Sequence, residues 1–116
     1  MSSSPTEQSN RVITDEISVA LTGTNINSGD LKGFTLAGIY HPASLASTAG
    51  TVYFSTDGTT YYQVKDEAGT AMTLTFGSTA AYIPVCPAVF MGARYVRIVM
   101  GSSETAKTFI LAVRPI

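Results

Sequence analysis

From Ile17 onward, apolar and small polar residues in this chain trade places at every second position. No window of a dozen residues carries a helical 3.6-residue period. Ile17, Val19 and Leu21 alternate with Ser18, Ala20 and Thr22, and Met72, Leu74 and Phe76 alternate with Thr73 and Thr75. Successive strand side chains point to opposite faces, so this pattern describes half-buried strands. Further runs at 34–40, 51–55, 61–64, 81–85, 95–100 and 108–113 bring the count to about eight. Abundant threonine, which is β-branched, suits the same geometry. The predicted fold is all-β: an antiparallel β-sandwich of jelly-roll type with about eight strands. It occupies residues 13–116 as one domain, and the serine-rich residues 1–12 read as a flexible N-terminal arm.

The punctuation between runs is turn chemistry. Asp57-Gly58 between two strand runs is a hairpin signal, and Asp66-Glu67-Ala68-Gly69 closes the next hairpin. Thr24 to Gly29 reads as a polar loop tolerant of positive φ. Pro84 and Pro87 bracket Cys86, and proline is excluded from central strands, so 84–94 is expected to cross over irregularly.

Alternation also sorts the side chains by face. Val52, Phe54, Met72, Leu74, Phe76, Val96, Ile98, Met100, Phe109, Leu111 and Val113 are assigned to the core. Each large side chain contributes roughly 1.5–3 kcal/mol when fully buried, which suffices to stabilise the domain. The opposite face carries Tyr53, Tyr82, Tyr95 and Ile110 with Thr51, Thr73 and Thr75. Aromatic rings on an outer face are enriched where proteins meet partners. Charge points the same way: only 13% of residues are charged, against about 25% in an average domain. Part of so uncharged a surface is expected to be covered by neighbours.

Several function classes fall away. A net charge of -1 supplies no field for phosphates, so nucleic acid is not an expected partner. No apolar run approaches the roughly 18 residues of a membrane span. The segment MSSSPTEQSNRV lacks the apolar centre of a secretory leader, and one cysteine, Cys86, allows no intrachain disulfide. Folding in a reducing cytoplasm is expected. The one histidine, His41, reads as a solvent-facing strand-end residue, and Cys86 as a small buried one. Neither comes with the base and orienting group that catalysis needs, so no catalytic residue is assigned. One His and one Cys cannot complete a zinc site, and Asp57, Asp66 and Glu67 read as turn residues before calcium ligands. No metal or cofactor is expected. A glycan is a possible partner: Asn25, Asp57, Tyr61 and Tyr62 form a candidate ligand loop, offering aromatic faces and hydrogen-bonding groups. Arg94, Arg97 and Arg114 either pair with acids of a neighbouring subunit or sit in solvent.

Two stretches carry a family resemblance. VYFSTDGTTYY (52–62) and ARYVRIV (93–99), followed by FILAVR, resemble the second half of discoidin-type, galactose-binding-like jelly rolls over about half the chain. Those domains are longer, carry flanking cysteines and usually place tryptophan where Tyr61 stands. Their ligand loops fall in the part that does not match, so sugar or lipid binding is not implied. The chain from Ile17 also resembles small β-sandwich proteins that tailed bacteriophages encode near their capsid genes. That likeness runs through ISVALTGTN, LKGFTLAGIYHPA, the STDG hairpin, VFMGARYVRI and a final RPI.

This second resemblance implies a non-enzymatic virion component assembled in the host bacterial cytoplasm. A capsid decoration (cement) protein leads within a class that also holds head fibres; the alternatives are a carbohydrate-binding or host-adhesion module, or a neck or tail part of the same fold. Its partners would be itself, as a homotrimer, and the major capsid protein or other virion proteins. Tyr53, Tyr82, Tyr95, Arg97 and Ile110 are the candidate oligomer contacts, and Pro5 and Arg11 mark the arm that would reach the shell.

Overall fold

Every alternating run is a strand, and the last two are one strand. The computed structural model describes residues 15–116, so the arm with Pro5 and Arg11 lies outside the described residues. Its strands are β1 (Asp15–Asn27), β2 (Phe34–His41), β3 (Ala49–Ser55), β4 (Tyr61–Gln63), β5 (Thr73–Thr75), β6 (Ala81–Pro84) and β7 (Tyr95–Pro115). A one-turn helix, α1 (Pro87–Phe90), precedes β7. All pairings are antiparallel. The seven strands form a single hydrogen-bonded sheet in the order β4-β3-β7-β2-β6, with β1 also on β7 and β5 also on β3.

The predicted break inside β7 was the polar stretch Gly101 to Lys107, which lacks apolar alternation. It stays in the sheet because Glu104 pairs with Gly23 of β1. Its carboxylate turns inward, 2% exposed, and accepts the Ser47 N–H at 3.0 Å. From Asp15 to Asn27 is twelve residue steps on β1, and from Val113 to Arg97 sixteen on β7, so β7 carries four extra residues. Extra residues on one strand bend it and increase its twist. The first half of β7 therefore pairs with β3 and the second half with β2, and the sheet curls into two wings.

The wings share one core. Val52, Leu74, Phe76, Val96, Ile98 and Met100 come from the first wing, and Leu36, Ile39, Phe109, Leu111 and Val113 from the second. Phe76 meets Phe109 edge-on across them, ring centroids 6.0 Å apart. Phe54 and Met72, also assigned to the core, pack against it half-buried. The expected crossover at 84–94 holds α1, with Pro87 in its first turn, where a missing N–H costs nothing. The Thr35 hydroxyl donates to the Pro87 carbonyl at 2.9 Å, and buried Phe90 reaches Phe54 at 5.2 Å.

Three local expectations are corrected. The loop expected at Thr24 to Gly29 is strand as far as Asn27, because Ile26 is drawn into the core at 1% exposure. His41 is buried, not solvent-facing: Nδ1 lies 2.9 Å from the Pro42 carbonyl, which can only accept, so Nδ1 donates there and buried Nε2 has no partner among the described residues. Cys86 is exposed rather than buried, since α1 turns its neighbour Phe90 inward instead.

Candidate functional site: two aromatic outer faces

In the first wing, the alternation that buries Val52, Val96 and Ile98 sends Tyr53, Tyr95 and Arg97 outward. Pairing sets Arg97 opposite Tyr53 on one side and Asn27 on the other. Arg97 Nε donates to Asn27 Oδ1 at 2.7 Å, and its guanidinium carbon stands 3.9 Å from the Tyr61 ring centroid. A cation over an exposed aromatic ring is worth about 0.5–1 kcal/mol, so the arginine is held flat on the sheet. Among the described residues it makes no salt bridge. The one ion pair among the described residues is Arg94 with Asp30, Nη2 to Oδ2 at 2.8 Å, so Arg94 has an acid partner within its own chain. The Arg94 side chain, helped by the Lys32 N–H, holds the Asp30 carboxyl below its ordinary range.

Tyr95 packs on the turn that follows β3. Gly58 has φ +80°, and a Cβ there would approach the Tyr95 ring to 2.9 Å, so both backbone and ring require glycine. Asp57 is occupied by the same turn. Its Oδ1 accepts from the Thr60 N–H at 2.9 Å, the Thr59 N–H at 2.8 Å and the Ser55 hydroxyl at 3.0 Å. These bonds to the charged form hold its carboxyl below the usual range.

The second wing presents a different face. Tyr82 lies opposite Tyr40, and Ile110 lies between Tyr40 and Ser18. The two tyrosine rings are 4.5 Å apart, and the residues are 42% and 43% exposed. Tyr82 lies across Gly38, where any Cβ would overlap the phenol, and its hydroxyl donates to the Ala37 carbonyl at 3.3 Å.

The five candidate contact residues thus divide. Tyr53, Tyr95 and Arg97 share the first face, and Tyr82 and Ile110 the second. Tyr40 was missed because strict alternation puts it on the Leu36 side; a register shift between Leu36 and Gly38 turns Ile39 inward and Tyr40 outward. A bulge of this kind leaves no mark in an alternating pattern except Gly38 itself.

The candidate ligand loop does not converge. Asn25 lies within β1 opposite Val99, Asp57 serves its turn, and Tyr61 stacks on Arg97. Tyr62, next along β4, faces the other way and is 64% exposed. A cleft of about 630 Å³ between the 64–73 hairpin and Val89 is lined by Lys65, Asp66 and Glu67 but gathers no catalytic set. Among the described residues no group of three or more His, Cys, Asp or Glu could hold a metal, and no helix is long and apolar enough to cross a membrane.

No protein-family model matches the chain, and no curated protein matches it in sequence. Solved structures do match it. One is the crystal structure of the SPBc2 prophage-derived protein YomS, with 12% identity, 90% of this chain and 96% of that chain covered, and a TM-score of 0.50. At that identity the likeness is one of fold.

Proposed function

We propose that this protein is a non-enzymatic structural component of a tailed-phage virion, a capsid decoration subunit that works by self-association and burial of its outer faces. The prophage origin of YomS, which this chain matches in fold over 96% of that chain, supports the phage setting together with the sequence resemblance. The observation that carries the mechanism is the first-wing face. There Tyr53, Tyr61, Tyr95 and Arg97 share one outer face, the arginine is held by Tyr61 and Asn27, and among the described residues no acid pairs with it. Rigid aromatics and arginine are the residue types that dominate binding at interfaces. Many copies on a shell add avidity, so single contacts can be weak.

Co-sedimentation with purified phage capsids tests this. Wild type pellets with shells and raises their melting temperature, whereas a Tyr53→Ala/Arg97→Ala variant stays in the supernatant. A chain that remains monomeric at high concentration and never binds capsids refutes the proposal. Glycan-array binding abolished by Tyr61→Ala would favour a host-adhesion module instead, since Tyr61, Arg97 and Asn27 cluster as a sugar platform would.

A further inference from the structure

A sheet edge exposes unpaired N–H and C=O groups that template another strand unless it is short, charged or interrupted by proline. Three edge strands here are short: β4 and β5 have three residues each, and β6 has four including Pro84. β1 is not blunted. Its 13 residues include no proline or lysine, and among the described residues it pairs with β7 alone. Its register shifts lie between Leu21 and Asn25, so Asp15 to Leu21 is a regular stretch. On the core side of that stretch Ile17 and Val19 are packed but only half-buried.

We propose that Asp15–Leu21 pairs antiparallel with the same segment of a second copy of this chain, about a two-fold axis through Ser18. The proposal rests on the self-association put forward above and names its contact. Faces are preserved across such an axis only when opposed residues are an even number apart in sequence, because alternation has period two. Centring on Ser18 sets Ile17 against Val19 of the second copy, a β-branched cross-strand pair that completes the burial of both. Glu16 then meets Ala20, and Asp15 meets Leu21. Leu21 is also paired with Lys107 on β7, so Asp15 of one copy falls in the same row as Lys107 of the other. The separation is two strand spacings, about 9–10 Å, which a lysine and an aspartate side chain span. Neither residue has an ion-pair partner among the described residues. A parallel in-register pairing would instead stack Asp15 on Asp15 and Glu16 on Glu16.

The test uses the full chain with Cys86→Ser, which removes the exposed native thiol. Under mild oxidation Ser18→Cys, on the axis, yields a covalently linked pair of chains. Ala20→Cys does not, because its two copies stand about 13 Å or more apart, beyond disulfide reach. Both positions are exposed, so neither change disturbs the core. Light scattering of the unmodified chain reports two copies per particle. Asp15→Lys or Lys107→Asp alone weakens the pair roughly fivefold, and the double exchange restores it. Equal cross-linking at both positions, or none at Ser18→Cys, overturns the strand pairing. A three-copy particle without the Ser18→Cys link overturns it while leaving self-association intact; a monomer overturns both.

Discussion

Gly38 provides a direct test of how the second face is built. A methyl group there cannot coexist with the Tyr82 phenol lying over it, so Gly38→Ala must push the ring off the sheet. The displaced ring loses its hydroxyl bond to the Ala37 carbonyl, a long one at 3.3 Å, and its contact with Tyr40 at 4.5 Å. The bond is worth about 0.5–1.5 kcal/mol and the ring pair about the same. Gly38 does not have positive φ, so alanine fits the backbone and returns about 0.5–1 kcal/mol through reduced unfolded-state freedom. The net cost is about 0.5–2 kcal/mol, a fall in Tm of a few to about ten degrees for a domain of this size. Thermal unfolding followed by circular dichroism reads it, and the near-ultraviolet tyrosine signal reports the ring. A double-mutant cycle isolates the cause: in a Tyr82→Ala background, Gly38→Ala should cost nothing or stabilise slightly. If it costs as much there as in wild type, the ring contact is not the reason for glycine at this position.

The remaining predictions concern the first wing and the bend. Arg97→Ala and Tyr61→Ala should couple by about 0.5–1 kcal/mol in a urea-denaturation cycle, and strictly additive effects would deny that the guanidinium rests on the ring. Glu104→Ala should cost about 1–3 kcal/mol, because it strips the Ser47 N–H of its acceptor at the bend of β7; an unchanged urea midpoint refutes this. The Asp57 carboxyl is held below its ordinary value of 3.8 in the folded state, so its stabilising effect is complete above that value and is lost as pH falls through the lowered one. Asp57→Asn should therefore flatten the acid limb of the stability profile below about pH 4, and a superimposable limb would show that the turn does not depend on the charge.

Alternation located every strand, though not the end of β1 or the continuity of β7, because the core is built from it. Val52, Val96, Ile98, Phe109 and Leu111 were assigned inward by period two alone and are all 1% exposed or less. The turns at Gly58 and Gly69 were legible because both have positive φ, and few residues other than glycine tolerate it. What pattern could not carry is anything that depends on pairing. The junction of the last two runs is held by Glu104, a charged residue that composition assigns to the surface and that only its place opposite Gly23 turns inward. The division of the tyrosines between two faces has the same origin, since alternation tells the faces of a strand apart but not which wing the strand joins.

The continuity of β7 bears directly on how such a subunit would work. Had the two runs formed separate strands, each half of the sheet could shift against the other on a loop. Instead β1 and β7 pass together from one wing to the other, joined on both sides of the bend. The Arg97 face and the Tyr40–Tyr82 face are therefore fixed relative to each other by backbone hydrogen bonds rather than by side-chain packing alone. A contact that orders one face cannot loosen the other without breaking those bonds. Rigidity of this kind suits a subunit that must meet neighbours on more than one side, because the orientation of each contact is set before binding and little ordering entropy remains to oppose it.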